Sequence, residues 1–222
     1  MGLDLVLAML VPDTVEAIVD AIAYARERSD IVLTSGGVGP THDDITLAAV
    51  GAAFERPLQP EPTLVAAIRD HYGEGVNDDL LSMAKVPEGA ELIQPAPFFL
   101  PIFRIETVHI FPGDPDALRL LFEAWKETLR RSPFHLVKLE LDVDEGALAP
   151  ALRTLEETHA PAGLAIGSYP RFDAGAPYRV LVTLEAKDHD VVQRAASELR
   201  DTLTHTFGGA ALLRAVPSFP AD

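Results

Sequence analysis

The stretch Thr34-Ser-Gly-Gly-Val-Gly-Pro-Thr-His-Asp-Asp-Ile-Thr46 decides how this chain folds. It continues a short apolar run, Ile31-Val32-Leu33, which is too short for a helix and predicts a buried strand. Its three glycines and one proline exclude regular structure in the middle of the stretch. A helix is predicted after it, roughly from Ile45 to Phe54. A strand, a glycine-rich turn and a helix in this order are typical of an α/β fold.

The turn between this strand and this helix favours the binding of an anion. Glycines let a ligand approach the main chain, and free amide groups and a helix N-terminus attract phosphate or carboxylate. The glycines are not followed by the Gly-Lys-Ser/Thr of a Walker loop, and their spacing differs from that of a Rossmann fingerprint. On spacing alone, a tight turn without a ligand remains an alternative.

Asp43 and Asp44 are the candidate catalytic and metal-binding residues of this turn. Two adjacent carboxylates would repel an anion unless one caps the helix, accepts a ligand hydroxyl or holds a divalent cation. We expect Asp44 to cap the following helix. A simple helix cap with a solvated neighbour is the structural alternative.

The first 131 residues alternate between predicted strands and helices. The apolar run from Leu3 to Leu10 predicts a buried strand, and a helix follows it to about Arg28. Such alternation predicts a mostly parallel sheet with helices on both faces, in a three-layer α/β/α arrangement. The other predicted elements are helices over Glu61 to Tyr72 and after Pro115, and strands over Ala90 to Ile93 and Thr107 to Phe111.

The pattern changes after Ser132-Pro133. Apolar and polar residues alternate from Val137 to Val143, which predicts a strand with one wet face. The order of the remaining elements is β-α-β-β-α-β, typical of a small α+β ferredoxin-like subdomain. We therefore predict one domain over residues 1–131 and a second over 132–222.

Composition and charge exclude several classes of function. The 222 residues carry a formal net charge of −16, which repels a nucleic-acid backbone. The chain has no basic amphipathic stretch of the kind that predicts membrane binding, and it has no apolar run long enough to span a bilayer. The chain has no cysteine, so thiol catalysis and Cys-type zinc sites are excluded. We expect a cytoplasmic protein.

The stretch from Thr34 to Thr46 resembles the signature of the MoaB/Mog molybdopterin-binding fold, in its CinA-like branch. Pro112-Gly-Asp-Pro115 is similar to the second loop of that family, and Asn77 to Gly89 is similar to the segment between the two loops. Further along, Pro133-Phe-His135 and Ile166-Gly-Ser-Tyr-Pro170 resemble the molybdopterin-binding-like domain of FAD synthase and its bacterial relatives.

The resemblance implies a pterin or nucleotide ligand at the strand ends. In the Mog branch, an aspartate matching Asp44 is essential for joining molybdopterin and adenylate. The CinA-like branch is linked to pyrophosphatase activity on ADP-ribose, and the FAD synthase branch to metal-dependent hydrolysis of FAD. Besides Asp43 and Asp44, the candidate ligand-binding residues are Ser35, Gly36, Gly37, Val38, Gly39, Thr41, Thr46, Pro112, Gly113 and Asp116.

We therefore expect a nucleotide-binding pyrophosphatase that uses a divalent cation such as Mg²⁺ and acts on FAD, ADP-ribose or a similar dinucleotide. The alternatives are a non-catalytic molybdopterin- or nucleotide-binding protein and a molybdenum-cofactor biosynthesis protein. The C-terminal half argues against the last, because simple Mog-type proteins lack such an extension. The resemblance also implies a homo-oligomer.

The sequence departs from the family pattern in two places. Relatives open with a strand and helix that carry a Gly-Asn-Glu-Ile-Leu type motif, whereas here Leu5 to Asp13 already matches their next strand. A misplaced gene start, a shortened variant or an edge supplied by a neighbouring chain would each explain this. In addition, Gln94 to Phe99 lacks the glycines of the corresponding CinA-like loop, which favours the FAD synthase-like branch.

Overall fold

A computed structural model describes residues 2–173 and 175–218 of the chain. The chain forms two compact units, one from Asp4 to Leu129 and a second from Arg130 onward that Gly2 and Leu3 join. Each unit has its own sheet and its own buried apolar core.

The first unit alternates helices and strands over its first half, as the sequence predicts, and has four consecutive strands before its last helix. Its helices are α1 (Val15–Arg26), α2 (Thr46–Ala53), α3 (Pro62–Tyr72), α4 (Asp78–Ser82) and α5 (Pro115–Trp125). Its strands are β1 (Val32–Ser35), β2 (Leu58–Pro60), β3 (Lys85–Pro87), β4 (Glu91–Ile93), β5 (Ile102–Ile105) and β6 (Val108–Phe111).

The main sheet of this unit is mixed and has the order β1-β6-β5-β4. β1 and β6 are parallel, with Ser35 opposite Phe111 at their carboxyl ends. β5 pairs antiparallel with both β6 and β4. β2 and β3 form a separate two-stranded ladder.

Apolar residues cover both faces of the main sheet. Phe103 and Ile110 are fully buried on one face, in a core that also holds Ile22 of α1 and Val50 of α2. On the other face, Ile102 and Phe111 pack with Leu121 and Trp125 of α5. Because successive strand residues point to opposite faces, one short strand contributes to both cores. The predicted three-layer α/β/α class is confirmed.

The second unit is a ferredoxin-like sandwich. Its four-stranded sheet is antiparallel throughout and has the order β10-β7-β9-β8. The predicted α+β class of the C-terminal half is confirmed. Its elements are β7 (His135–Leu141), α6 (Glu145–His159), β8 (Ala165–Pro170), β9 (Val180–Ala186), α7 (His189–Phe207) and β10 (Leu212–Ser218).

None of the helices in the described part of the chain combines the length and the apolar character that a bilayer span requires. The longest is α7, with 19 residues. One face of α7, which includes Leu199 and Leu203, is buried. Arg194 and Asp201 lie elsewhere on the helix and are exposed. This two-sided pattern is that of a helix packed on a sheet.

The predicted buried strand from Leu3 to Leu10 is wrong. The segment has no strand pairing, and Leu5 is 87% exposed and Leu10 fully exposed. An apolar run predicts burial only where neighbouring strands accept its main-chain hydrogen bonds, and the described part of the chain places no strand beside it. The first unit begins its regular structure with α1, which Thr14 caps by accepting the amide of Ala17 at 3.3 Å.

The sequence analysis did not predict β5 or the β2–β3 ladder. β5 follows directly on the proline-rich stretch up to Pro101, which obscures its start. β2 and β3 have three residues each, and both include a proline. Such short strands form where the fold already places a partner beside them. Three residues are also too few to show a detectable periodicity in the sequence.

His109 of β6 is a buried titratable residue in the first unit. Its Nδ1 lies 3.2 Å from the carbonyl oxygen of Thr107, and its ring lies 4.6 Å from that of Trp125. Burial lowers the pKa of His109 below its ordinary value. The folded chain therefore binds the proton less readily than the unfolded chain, so the histidine reduces stability as the pH falls below about 6.5.

We expect the melting temperature of the wild type to fall more between about pH 7.5 and pH 5.5 than that of His109→Asn. The asparagine side chain can still bond to the Thr107 carbonyl but does not titrate. His205→Asn, which changes an exposed histidine, should keep the wild-type fall. An identical pH dependence in His109→Asn and wild type, measured by calorimetry, would contradict this prediction.

Candidate functional site

Two glycine-containing loops meet at the carboxyl ends of β1 and β6. Ser35 Oγ donates to the carbonyl oxygen of Pro112 at 3.3 Å, and the amide of Gly36 donates to the carbonyl oxygen of Phe111 at 3.2 Å. A Cβ atom on Gly113 would lie 2.9 Å from the Cα of Gly36. The two loops can approach this closely only because residue 113 carries no side chain, and the φ of +99° at residue 36 also favours glycine.

The first loop leaves three main-chain amides available for a ligand. We expected the amides from Gly36 to Gly39 to act together, but that of Gly36 is already bonded to Phe111. Within residues 2–173 and 175–218, the amides of Gly37, Val38 and Gly39 have no hydrogen-bond partner. The Val38 side chain is buried and anchors the loop in the core of the first unit.

The carbonyl of Gly37 ties the loop to the start of α2, because it accepts the amide of Thr46 at 2.9 Å. Gly37 has a φ of +67°, and a Cβ atom there would lie 2.2 Å from Thr46 Oγ1. Thr46 itself is buried. The backbone conformation of residue 37 and the lack of space around it therefore both require glycine there.

Asp44 does not cap α2, contrary to our expectation. Ile45 occupies the N-cap position, and no side chain bonds to the amides of the first turn. Asp44 Oδ2 instead accepts two hydrogen bonds from Thr41, from its amide at 2.9 Å and from its hydroxyl at 2.5 Å. Asp44 thus closes the loop on itself, and the N-terminus of α2 keeps its attraction for anions.

The carboxylate of Asp43 faces solvent, with 67% of its side chain exposed. The nearby Thr41 hydroxyl and the main-chain amide of Asp43 lower the pKa of this carboxyl. Because the hydrogen bond of that hydroxyl goes to Asp44, we attribute its effect on Asp43 to a nearby dipole. His42 precedes these residues in the loop and makes no packing contact with the core, since 99% of its side chain is exposed.

The donor set of the loop fits a weakly held divalent cation. No group of three or more His, Asp or Glu side chains comes together anywhere in the described residues. Mg²⁺ is commonly bound by one or two carboxylates, with substrate phosphates and water completing its octahedron. Asp43 and Asp44 offer two carboxylates to such an ion, which is too few for a cage made of protein ligands alone.

The second loop contributes less than the sequence analysis predicted. Pro112 is buried and supports Ser35, and Gly113 contacts Gly36. Asp116 does not join them, because its side chain is 94% exposed and lies 3.8 Å from Arg119 on the same helix. Asp116 therefore stands apart from the contacts that join Ser35 to Pro112 and Gly36 to Gly113.

Asp114 is the residue of the second loop that the sequence analysis missed. Its Oδ1 accepts the amide of Ala117 at 2.8 Å and caps α5. The Asp-Pro pair at the start of a helix is a signal for such a cap. Because Asp114 already occupies the N-terminus of α5, the uncapped N-terminus of α2 is the one that remains for an anion.

Comparison with known protein families identifies the first domain. A family model described as "probable molybdopterin binding domain" matches residues 1–131. The chain belongs to this family. A second model, the middle domain of FAD synthase, matches residues 133–207. The resemblance to molybdopterin-binding-like proteins of the FAD synthase type is therefore confirmed.

Several relatives match this chain over different shares of its length. A protein of Archaeoglobus fulgidus is 26% identical over 195 residues, which cover 87% of this chain and 80% of the relative. A protein of Aeropyrum pernix is 35% identical over 55% of this chain and 48% of its own length. A protein of Desulforudis audaxviator, named as competence-damage inducible, is 33% identical over 56% of this chain. This chain covers 32% of that last relative.

A solved structure gives a similar comparison. The CinA protein of Thermoplasma acidophilum, described as being of unknown function, shares 30% sequence identity. The match covers 53% of this chain and 73% of that chain, with a TM-score of 0.49.

We predict that Gly37→Ala destabilises the first unit more than Gly73→Ala does. Both glycines have a positive φ, which costs an alanine about 1–2 kcal/mol. Only at Gly37 does the new Cβ atom also collide with a neighbour, since nothing lies within 4 Å at Gly73. Urea unfolding of both variants measures the difference, and equal free energies of unfolding would contradict the tight packing of the loop on Thr46.

Proposed function

We propose that this member of the molybdopterin-binding family is a nucleotide-binding, metal-dependent pyrophosphatase that cleaves FAD, ADP-ribose or a similar dinucleotide. One observation carries the proposal. A single loop combines the unpartnered amides of Gly37, Val38 and Gly39 with the carboxylates of Asp43 and Asp44. Amide donors suit a phosphate, and adjacent carboxylates suit a cation that accompanies it.

The amides would hold one phosphate of the ligand. They follow a strand and precede the uncapped start of α2, so the dipole of the helix adds to the attraction. Ligands of open α/β sheets bind beyond the carboxyl ends of the strands, where this loop lies. The exposure of Thr41 and Asp43 leaves that side of the loop open to solvent.

The carboxylates would hold the cation. Asp44 Oδ2 is used by Thr41, whereas Oδ1 has no hydrogen-bond partner among the described residues. The lowered pKa of Asp43 keeps its carboxyl charged at neutral pH. When bound, a divalent cation neutralises charge that develops on phosphate oxygens and lowers the pKa of a bound water.

The net charge of −16 opposes the binding of a bare dinucleotide, and a divalent cation would offset that repulsion. A bare pyrophosphate would be repelled both by the whole molecule and by the two carboxylates of the loop. Its complex with a divalent cation carries less negative charge and can approach both the amides and the carboxylates. Hydrolysis then adds water to one phosphorus and releases the bridging oxygen with the other phosphate, giving AMP and a second monophosphate.

A second candidate is the binding of a nucleotide or a pterin without turnover. It is favoured by the small number of acidic ligands, because no third acidic or histidine side chain joins Asp43 and Asp44 among the described residues. In that case the amides and the helix N-terminus would still hold a phosphate. The second candidate predicts binding that does not depend on a divalent cation.

The decisive variant is Asp44→Asn. The amide oxygen of asparagine can still accept the two hydrogen bonds from Thr41, so the loop keeps its shape while it loses one negative charge. We expect the release of AMP from FAD or ADP-ribose, measured with Mg²⁺, Mn²⁺ or Co²⁺, to fall about 100-fold or more, as after loss of other groups that stabilise developing charge.

The matched control is Asp70→Asn, which removes an exposed carboxylate of α3. It should release AMP at the wild-type rate, and a chelator should stop the release in both proteins. If the wild type releases no AMP from any dinucleotide and Asp44→Asn binds nucleotide as the wild type does, the hydrolase proposal fails and the second candidate stands.

A further inference from the structure

The sheet of the second unit has one covered face and one open face. The helices α6 and α7 pack on the covered face, where Leu148 and Leu199 share a buried core with Leu139 of β7 and Leu184 of β9. Successive strand residues point to opposite faces, so the intervening positions form the other face. Among the described residues of β7 to β10, none at those positions is buried. We call this surface, which includes Tyr169 of β8, the open face.

The ring of Tyr169 lies along the open face, over Gly167. A Cβ atom added to Gly167 would lie 2.7 Å from Cε2 of Tyr169 and 2.8 Å from its hydroxyl oxygen. The same atom would lie 2.6 Å from Oγ1 of Thr183, the residue opposite Gly167 on β9. Glycine at position 167 therefore allows the ring to fold back onto the strand, and it places the phenol oxygen and the threonine hydroxyl around the same point.

The outer side of this ring is uncovered. Tyr169 is 56% exposed, although its ring rests on the sheet. In the part of the chain that the structure describes, neither its hydroxyl nor that of Thr183 forms a hydrogen bond, and no other aromatic ring stacks on it. An exposed aromatic ring with polar groups at its edge offers both a stacking surface and hydrogen bonds to a planar ligand.

The alternating residues of the motif Ile166-Gly-Ser-Tyr-Pro170 have separate tasks. Ile166 packs against the core of the second unit, and Oγ of Ser168 donates to Oε1 of Glu145 at the start of α6, at 2.6 Å. These two residues hold β8 from the covered side. Gly167 and Tyr169 point to the open face, where neither contributes to that core. The motif thus fixes the strand with one set of residues and presents the ring with the other.

Two cations share the open face with this ring. Lys138 of β7 lies opposite Thr183 and two strands from β8, at a spacing of about 10 Å. Arg214 of β10 lies opposite Glu140, and both cations are exposed. Neither of them forms an ion pair with any described residue. The strands of this face also carry two carboxylates, Glu140 and Glu185. This balance suits one phosphate group and disfavours a long polyanion.

We propose that the open face of the second unit binds an adenylate, whose adenine stacks on Tyr169 and whose phosphate lies by Lys138. Aromatic rings next to positive charge hold unpaired bases in many proteins, because every base has a flat face to stack. The hydroxyls of Tyr169 and Thr183 can bond to the polar edge of the base or to the ribose. The choice of adenine rests on the proposed function, because FAD and ADP-ribose share an adenylate, whereas the stacking of a planar base does not.

The first test observes the ring of Tyr169 directly by NMR. The chain has four tyrosines, so a protein labelled on its tyrosine rings gives few signals. The signal that is absent from Tyr169→Phe identifies Tyr169. Titration with AMP in the presence of a chelator should shift this signal, because a stacked purine changes the magnetic field at the ring. The signal of Tyr24, which lies in the first unit, should stay in place.

The second test compares affinities for AMP by calorimetry. Tyr169→Leu keeps an apolar cover over Gly167 but removes the aromatic ring, so we expect it to bind AMP about 5- to 100-fold more weakly. Tyr169→Phe should bind AMP nearly as well as the wild type. Lys138→Ala should weaken the binding of AMP and leave that of adenosine unchanged, because only AMP carries the phosphate. Phe172→Ala removes another exposed aromatic side chain and, as the matched control, should bind AMP like the wild type.

Three results would overturn the proposal. The first is a Tyr169 signal that does not shift at the highest soluble concentration of AMP. The second is equal affinity of Tyr169→Leu and the wild type for AMP, which would leave the ring only the role of shielding Gly167. The third is a shift caused by riboflavin and not by adenosine, which would assign the ring to a flavin. Asp44→Asn should still show the shift with AMP, so this site and the proposed hydrolysis can fail separately.

Discussion

The arrangement of the candidate site depends on the contact between the backbones of Gly36 and Gly113. The parallel pairing of β1 with β6 ends both strands at the same edge, and the amide of Gly36 continues the ladder to Phe111 for one more residue. A Cβ atom at position 113 would come within 2.9 Å of Gly36 and force the loops apart. This steric constraint positions Ser35 against Pro112 and directs the following residues away from the sheet.

The loop that follows combines groups of opposite electrostatic character. The amides of Gly37, Val38 and Gly39 and the uncapped start of α2 attract negative charge, whereas Asp43 and Asp44 repel it. In the function that we propose, a cation between the carboxylates and a bound phosphate would resolve this conflict without any basic residue in the loop.

The apolar segment from Leu5 to Leu10 shows how burial depends on a partner. Its composition is that of an interior strand, yet its residues are exposed because the described chain offers no ladder beside it. β1, in contrast, pairs with β6 and reaches the core of the first unit through Val32. Hydrophobicity therefore identified both segments as candidate strands, but it could not show which of them has a neighbouring strand to pair with.

The sequence by itself determined the fold class of both units and most of their helices and strands. The predicted bounds of α2 and α3 lie within one residue of those observed, and the glycines from Gly36 to Gly39 marked the loop. Only the tertiary structure decided how the polar groups of the loop pair. The amide of Gly36 is bonded to the carbonyl of Phe111. Asp44 accepts from Thr41 instead of capping α2, and the side chain of Asp116 is exposed to solvent. The physical reason is that periodicity is a local property, whereas each hydrogen bond goes to the partner that folding brings nearest.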